Sequence, residues 1–211
     1  MGWRRRHFIA AALAGPAAGA FAAAHGPRTI LVVGDSLSAE YGLARGSGWV
    51  ALLERRLAER KVAAHLINAS ISGDTTSGGR SRLPALLKQH KPDVVIIELG
   101  GNDALRGLPL DMTRDNLARM VEAAQGAGAR VLLVGVDVPP NYGGDYARRF
   151  AGSYREVATA RKVPLVPSIL AGIADAPNAQ QLFQPDRIHP LAVAHPRMLD
   201  NVWLQLGKLV P

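Results

Sequence analysis

The feature of this sequence that most constrains its fold is a series of short apolar runs rich in Val, Ile and Leu. The runs do not alternate apolar with polar residues, which is typical of parallel strands that are covered on both faces of a sheet. Each run is too short to be a typical helix, and helical patterns separate the runs. We predict strands at residues 30–33, 62–67, 94–97, 131–136 and 163–166.

The segments between the predicted strands carry apolar residues at helical spacing. Leu83, Leu86 and Leu87 follow an i, i+3, i+4 pattern, which places them on one face of a helix. Comparable patterns predict helices around residues 49–57, 117–124, 146–160 and 192–209. Strands that alternate with helices indicate an α/β sandwich around a parallel sheet.

The length of the chain limits the number of domains. With 211 residues it can form one compact domain with a sizeable core but hardly two. No internal repeat or linker divides it, and no run of 18 apolar residues in its body predicts a membrane-spanning helix. We therefore expect residues 25–211 to form a single domain.

Residues 1–24 have the layout of an export signal rather than of a folded segment. Arg4–Arg6 form a basic start, residues 8–24 are apolar and rich in Ala and Gly, and residues 22–24 offer a small-residue cleavage site. The start also resembles the twin-arginine pattern. We predict an exported protein, periplasmic or secreted, without stable membrane insertion after signal removal. The alternative is an uncleaved anchor helix that is interrupted at Pro16.

Charge and cysteine content exclude several classes of function. The formal charge is +8, and removal of the three leader arginines leaves 22 basic against 17 acidic residues, a charge of +5. No basic block with interleaved aromatic residues remains, so we expect no nucleic-acid partner. The chain has no cysteine, which excludes disulfides, thiolate catalysis and cysteine-based metal sites.

Polar residues follow three of the predicted strands and recur in one late loop. Sites in parallel sheets form beyond the carboxyl ends of the strands, and the non-periodic segment 168–190 has the length of a functional loop. These stretches are residues 34–38 (GDSLS), 68–74 (NASISGD), 98–103 (ELGGND) and 186–190 (DRIHP). We expect them to meet at one edge of the sheet.

Together these stretches contain the groups that acyl transfer requires. A serine hydroxyl such as that of Ser36 needs a neutral imidazole as base, and His189 can serve if Asp186 holds its ring. The oxyanion needs donors that are oriented in advance. The backbone N–H groups of Ser36 and Gly73 and the side-chain amide of Asn102 are the candidates.

At these positions the chain resembles the SGNH, or GDSL-type, hydrolase family. Residues 34–37 (GDSL) match its first block, and residues 186–189 match its DxxH block. Ser36, Gly73, Asn102 and His189 follow in order as the four letters of SGNH. The resemblance covers nearly all of the chain after the leader. It implies a flavodoxin-like three-layer sandwich with a five-stranded parallel sheet, no cofactor, and the site roles given above.

Within this family the chain most resembles a bacterial periplasmic group of multifunctional acyl-CoA thioesterases and lysophospholipases, also known as arylesterases. Residues 83–90, 98–103, 106–107 and 141–143 carry this closer likeness. It implies short- to medium-chain acyl esters, aryl esters and acyl thioesters as small-molecule substrates, with a carbohydrate acetylesterase as the alternative within the family. Arg187 departs from the group, where glycine is common, so we expect it to narrow or redirect the pocket.

Several alternatives remain at the level of the sequence. Asp35, Asp74 and Asp103 could join Asp186 and His189 around a divalent metal in a phosphoesterase, although Ser36 and Asn102 would then have no role. A non-catalytic binder could use the same crevice. Among the other histidines and serines, His195 is the rival base, and Ser38 is expected to cap the local turn.

The acyl pocket is predicted from loop residues that lie beyond the strand ends. Its expected wall consists of Leu108, Pro139, Pro140, Tyr142 and Ile188. Residues 74–79 are small and polar, and we expect this segment to move over the site on substrate entry. The protein is expected to be a monomer or a weak dimer.

Overall fold

The computed structural model describes residue 1 and residues 26–210, and the predictions for residues 2–24 lie outside this range. Its centre is a five-stranded parallel sheet with the strand order β2-β1-β3-β4-β5. The strands are β1 (Arg28–Gly34), β2 (Ala64–Asn68), β3 (Val94–Glu98), β4 (Arg130–Val134) and β5 (Leu165–Val166). The α/β class and the parallel sheet that the sequence predicts are therefore confirmed.

Residues 26–210 contain six α-helices, and five of them cover the sheet in two groups. One group packs α1 against α6, and the other packs α4 against both α2 and α5. The helices are α1 (Trp49–Glu59), α2 (Thr76–His90), α3 (Gly101–Leu105), α4 (Leu110–Gly126), α5 (Gly144–Arg161) and α6 (His195–Leu209). Short 3-10 turns lie at Pro140–Tyr142, Ala179–Gln181 and Ala192–Ala194. Among residues 26–210, no helix combines the length and the apolar composition needed to cross a bilayer.

The central strands are buried on both faces, which explains why their sequences do not alternate. Every residue of β3 is buried, and so are the last five residues of β1. On the helix side, Trp49, Leu53 and Leu57 of α1 are almost entirely shielded from water. Burying one such side chain stabilises the fold by about 1.5–3 kcal/mol.

The topology of the sheet determines where a site can form. From β1 the chain goes to β2 on one side of the sheet and then returns to β3 on the other, so the strand order reverses beside β1. Gly34 and Glu98, the last residues of β1 and β3, are paired in register. A crevice outside the carboxyl ends of such strands is the usual ligand site of this architecture.

The structure corrects the prediction that residues 74–79 form a mobile segment. Thr75 caps α2, with its side chain accepting a hydrogen bond from the Gly78 N–H at 3.3 Å. Thr76 is fully buried, and its N–H donates to Asp103 Oδ2 at 2.8 Å. Gly79 packs so closely that an added Cβ would lie 2.2 Å from Leu99 Cδ1. The small polar residues here serve helix capping and close packing, so most of the segment is the anchored start of a helix.

Candidate active site

The turn after β1 presents Ser36 at the edge of the sheet. Asp35 caps this turn: its Oδ1 accepts from the Leu37 N–H at 3.0 Å, and its carbonyl accepts from the Ala39 N–H at 2.9 Å. Gly34 precedes the turn in close packing, because an added Cβ would lie 2.7 Å from the Ser38 hydroxyl. The turn is therefore rigid, and Ser36 remains half-buried at its start.

The structure brings Ser36, His189 and Asp186 into one hydrogen-bonded chain. The Ser36 Oγ lies 2.8 Å from His189 Nε2, and His189 Nδ1 lies 2.7 Å from Asp186 Oδ2. The His189 side chain is 16% exposed, so water has limited access to the ring. The three predicted residues thus meet in hydrogen-bonding geometry.

Asp186 organises the loop that carries His189. Its Oδ1 accepts from the N–H groups of Ile188 and His189 at 2.9 and 3.0 Å, while Oδ2 faces the ring. Partial burial tends to raise the pKa of Asp186, but the hydrogen bonds from His189 and Ile188 outweigh it and hold the pKa below its ordinary value. Arg187 adopts a left-handed φ of 58° within this turn, and its side chain belongs to the wall of the adjacent cleft.

The candidate oxyanion donors lie on two neighbouring loops. Asn102 is in the first turn of α3, and its Nδ2 donates to Asp35 Oδ2 at 3.0 Å, so the carboxylate orients the amide. Gly73 has a φ of +80°, which favours glycine, and its loop is joined to β1 by the Ile71 N–H bond to the Gly34 carbonyl at 3.1 Å. Within residues 26–210, the N–H groups of Ser36 and Gly73 have no acceptor.

Two arginines that sequence reasoning missed tie these loops together. Arg82 is largely buried and binds Asp74 Oδ2 at 2.8 Å, the Gly34 carbonyl at 3.3 Å and the carbonyl of Ala69. Arg106 Nη2 donates to the Gly73 carbonyl at 2.7 Å. In the sequence, Arg82 has the appearance of a solvent-facing helix residue, and no local pattern distinguishes it.

A buried acidic pair lies directly beneath the serine turn. Glu98 is fully buried and accepts a 2.6 Å hydrogen bond from the Ser38 hydroxyl, which in turn accepts from Trp49 Nε1 at 3.2 Å. The prediction that Ser38 caps the turn is therefore wrong, because Asp35 has that role and Ser38 faces the core. Burial and the charge of Asp35 raise the pKa of Glu98 well above its ordinary value.

Burial also raises the pKa of Asp35 from its ordinary value of 3.8 to about 6, although hydrogen bonds from Leu37 and Asn102 oppose the shift. Native protein retains this proton between about pH 4 and 6, where the unfolded chain has lost it. The stability that the folded protein gains from a neutral Asp35 is complete below pH 4 and is lost as the pH rises through 6. The loss corresponds to roughly 3 kcal/mol at 1.36 kcal/mol per pH unit.

We therefore expect the stability of Asp35→Asn relative to wild type to rise by up to roughly 3 kcal/mol between pH 4 and pH 8, on top of a small loss at every pH from the missing Asn102 hydrogen bond. Asparagine cannot ionise, so it avoids the cost of a buried carboxylate. Its one side-chain oxygen can accept from the Leu37 N–H, but its NH2 group cannot accept from Asn102 Nδ2, so about 1 kcal/mol is lost there. Urea denaturation at pH 4, 6 and 8 measures the difference. Asp145→Asn, at a site 76% exposed, is the control and should not change the profile. A gain of equal size at every pH would contradict this account.

The other acids at the strand ends do not converge on a metal site. Asp103 is fully buried and binds Thr76 and the Thr113 hydroxyl, the latter at 3.2 Å, while Asp74 pairs with Arg82. In the part of the chain from residue 26 to 210, no three acidic or histidine side chains come close enough together to hold an ion. These acids stabilise helix starts and loops.

The rival base, His195, lies away from this cluster. It is buried at the start of α6, where its Nδ1 accepts from the Trp49 N–H at 3.0 Å. Burial lowers the pKa of His195, which favours the neutral ring that this acceptor role needs. His195 therefore joins α1 to α6 and does not contact Ser36.

A cleft of about 760 Å³ opens beside Ser36 and Asn102. Ile188 and Pro139 line it, as predicted, whereas Leu108 and Tyr142 are not among the residues that line it. Tyr142 packs against Tyr146 with ring centroids 5.5 Å apart, and the Leu108 N–H closes the turn after α3. The prediction for Pro140 concerns a side chain outside the described part of the structure.

Most of the apolar lining was not predicted. It comes from α3 and from the loops after β4 and β5, where neither helical nor strand periodicity marks which residues face inward. These residues include Leu105, Val136, Val138, Leu170, Ala171, Ala174 and Phe183. An apolar cleft next to a serine, an imidazole and unpaired N–H donors can hold an acyl chain with its carbonyl at the serine.

The fold and this constellation define the class of serine-type hydrolases that act on ester bonds. Residues 32–196 match the model of the GDSL-like Lipase/Acylhydrolase family, and the chain belongs to that family. The resemblance identified in the sequence is thereby confirmed.

Similar proteins carry esterase and thioesterase names. The chain is 50% identical to the esterase TesA of Pseudomonas aeruginosa over 87% of this chain and 90% of that protein. It is 41% identical to thioesterase 1/protease 1/lysophospholipase L1 of Escherichia coli K12, over 86% and 85% of the two chains. A crystal structure of TesA superposes with a TM-score of 0.83 at 49% identity, covering 86% of this chain and 99% of that one.

Proposed function

We propose that Ser36 is the nucleophile, His189 the general base and Asp186 the residue that orients the base. The observation that carries the proposal is the unbroken chain from Ser36 Oγ to His189 Nε2 at 2.8 Å and from His189 Nδ1 to Asp186 Oδ2 at 2.7 Å. When the Nδ1–H group of His189 donates a hydrogen bond to the Asp186 carboxylate, Nε2 carries no proton. Its lone pair then faces the Ser36 hydroxyl, as proton abstraction requires.

The reaction then proceeds through an acyl-enzyme. His189 takes the Ser36 proton as Oγ bonds to the acyl carbon, and the imidazolium passes that proton to the leaving oxygen or sulfur as its bond to carbon breaks. Water next loses a proton to His189 and attacks the acyl carbon. The bond between carbon and Oγ breaks, Oγ regains the proton, and a carboxylic acid departs.

The oxyanion of each tetrahedral intermediate is proposed to lie between the N–H groups of Ser36 and Gly73 and the Asn102 amide. The Asp35 hydrogen bond to Asn102 Nδ2, at 3.0 Å, engages one of the two amide protons and leaves the other for the oxyanion. Donors that are held before the reaction need no reorganisation when charge develops, which is why such groups are effective.

We propose medium-length acyl esters, aryl esters and acyl thioesters as substrates, including lysophospholipids. A cleft of about 760 Å³ with apolar walls is far larger than an acetyl group needs, so it favours longer acyl chains over the acetyl groups of a carbohydrate acetylesterase. The thioesterase and lysophospholipase names of the Escherichia coli relative support the same choice.

The test compares p-nitrophenyl esters of increasing acyl length in the wild type and in Ala174→Phe. Ala174 lines the cleft, so a phenyl ring there should occupy space that long chains need. Each methylene that can no longer be buried forfeits about 0.8 kcal/mol. We expect kcat/KM for an eight- to twelve-carbon chain to fall at least about 10-fold, and that for acetate to change little.

Ala127→Phe is the matched control, because Ala127 is exposed at the end of α4. This variant should have the same kcat/KM as wild type for every p-nitrophenyl ester of the series. A wild-type enzyme that prefers acetate to every longer chain would contradict the proposed substrate class. Equal losses at all chain lengths in Ala174→Phe would contradict the assignment of the cleft to the acyl chain.

We also propose that residues 1–24 direct export to the periplasm or medium, and that residues 25–211 are the mature enzyme. The basic start and the apolar Ala/Gly segment support this division. A catalytic serine, histidine and aspartate with backbone donors require no cofactor, and small acyl substrates require no macromolecular partner. We propose a monomer or weak dimer as the working form.

A further inference from the structure

We propose that Gln184 is a positioning residue that holds the His189 loop against the serine turn. The inference rests on the proposed function, because it concerns how the base is kept within reach of the nucleophile. Gln184 lies in the late loop, five residues before His189, and it is half-buried. It contacts neither Ser36 Oγ nor the His189 ring in the described hydrogen-bond network.

Gln184 binds the backbone of the His189 loop at three points. Its backbone N–H donates to the His189 carbonyl at 2.8 Å, and its carbonyl accepts from the Arg187 N–H at 2.9 Å. Its side-chain Nε2 donates to the Pro190 carbonyl at 3.3 Å. One residue therefore closes the turn around the base.

The same side chain crosses to the turn that carries the nucleophile. Gln184 Nε2 donates to the Tyr41 carbonyl at 2.9 Å, and the Tyr41 N–H lies 3.4 Å from the Ser36 carbonyl. A continuous path of hydrogen bonds thus leads from Ser36 through Tyr41 and Gln184 to the backbone of His189. The path connects two loops that are far apart in sequence.

Two further observations support this connection. The Tyr41 ring lies 4.4 Å from the His189 ring between centroids, so the residue whose carbonyl is held by Gln184 also covers the imidazole. At Gly42, an added Cβ would lie 2.1 Å from Gln184 Oε1. The absence of a side chain at position 42 is therefore what allows the amide to reach across.

The connection matters because the Ser36–His189 distance is sensitive to small shifts of the loop. A displacement of about 1 Å at reacting groups can lower a rate by about 100-fold. The two donors of one amide group hold carbonyl oxygens on both loops, Tyr41 on one and Pro190 on the other. Without them, the His189 loop keeps its internal turn but loses the two hydrogen bonds by which the Gln184 amide joins it to the serine turn.

The principal test is Gln184→Met, which keeps the length of the side chain and removes its donors. We expect kcat for a p-nitrophenyl ester to fall about 10- to 100-fold while KM changes less than about 2-fold, because the acyl cleft is untouched. The rate at which an organophosphonate labels Ser36 should fall by the same factor, since labelling uses the same base. In Gln184→Glu, kcat and the labelling rate should fall by at least the same factor, because a carboxylate would face two carbonyl oxygens.

Gln181→Met is the matched control, because Gln181 is exposed in the same loop and does not line the cleft. It should leave kcat, KM and the labelling rate unchanged. All rates are referred to the folded fraction, measured by circular dichroism on the same sample. Folded Gln184→Met with unchanged kcat and labelling rate would overturn the proposal.

Gly42→Ala provides a second test that leaves Gln184 in place. Its methyl group should displace the amide and reduce kcat, and the φ of +70° at Gly42 adds backbone strain. The double variant Gly42→Ala/Gln184→Met should be no slower than the slower single variant, because both variants lose the same link. If the factor by which kcat falls in the double variant were the product of the factors in the two single variants, the proposal would be overturned. Failure of the proposed function is distinguishable, since Ser36→Ala would then remain active.

Discussion

Replacing Ser36 with alanine is expected to lower kcat for a p-nitrophenyl ester by about 10⁴- to 10⁶-fold, which is the loss typical of removing a catalytic serine. The reason is that no acyl-enzyme can form without the hydroxyl that lies 2.8 Å from His189 Nε2. The unfolding free energy should change by less than about 1 kcal/mol, because only one half-buried hydroxyl and its hydrogen bond are lost. Initial rates and urea denaturation measure the two effects.

Ser77→Ala is the control for this substitution, since Ser77 is exposed on the first turn of α2. It should behave as wild type in both assays. An organophosphonate should label wild-type protein once, at Ser36, and should not label Ser36→Ala. A variant that keeps more than about one hundredth of the wild-type kcat, or takes the label at another residue, would show that Ser36 is not the nucleophile.

The sequence was sufficient to predict the sheet and the catalytic candidates, because both leave a local signature. Strands covered on both faces must be apolar at successive positions, and β1 and β3 meet that requirement. The candidate catalytic residues lie directly after strands or in one loop. Parallel topology then brings Ser36 and Asn102 to the same edge, and Asp186 is close enough in sequence to His189 for both to share a turn.

The supporting residues could not be predicted, because their roles depend on contacts between segments far apart in sequence. The Gln184 side chain donates a hydrogen bond to the Tyr41 carbonyl, and the Arg82 side chain donates one to the Gly34 carbonyl. The Ser38 hydroxyl donates to the Glu98 carboxylate. Any of these polar side chains, taken alone, is typical of a solvated surface. Only the packing of the loops shows that they are shielded and which groups they meet.

Strand ends and the cleft wall were poorly predicted for a related reason. The apolar pattern at residues 131–136 continues two residues beyond the end of β4, and those residues lead into the loop that borders the cleft. Val136 is buried beside the site rather than in the sheet. Hydrophobicity alone does not distinguish a residue that lines a substrate cleft from one that fills the core.

The Asp35–Asn102 pair is expected to trade stability for activity. A carboxylate buried beneath the proposed nucleophile costs stability at neutral pH, since its pKa is raised to about 6. The same carboxylate accepts from Asn102 Nδ2 at 3.0 Å and so fixes the orientation of the amide. Asp35→Asn is therefore expected to combine higher stability at pH 8 with a lower kcat, because the one oxygen of asparagine serves the Leu37 N–H and its NH2 group cannot hold the Asn102 amide.

Asn102→Ala is expected to lower kcat about 100- to 1000-fold, or roughly 3–4 kcal/mol of transition-state stabilisation, with little change in KM. In the proposed oxyanion hole the amide donates to charge that exists only as the oxyanion forms, so its loss should affect the transition state far more than the bound substrate. The triad geometry does not depend on Asn102, which makes no hydrogen bond to His189 or Asp186 within residues 26–210. Steady-state kinetics with p-nitrophenyl esters measure the loss.

Asn102→Asp separates the donor from the shape of the side chain. It nearly keeps the volume of asparagine but places a second acid beside Asp35, so it should be at least as slow as Asn102→Ala. Asn141→Ala, at an exposed site after β4, should match wild type. If Asn102→Ala raised KM and left kcat intact, the amide would bind substrate equally in the ground state and in the transition state, and its place in the oxyanion hole would be wrong.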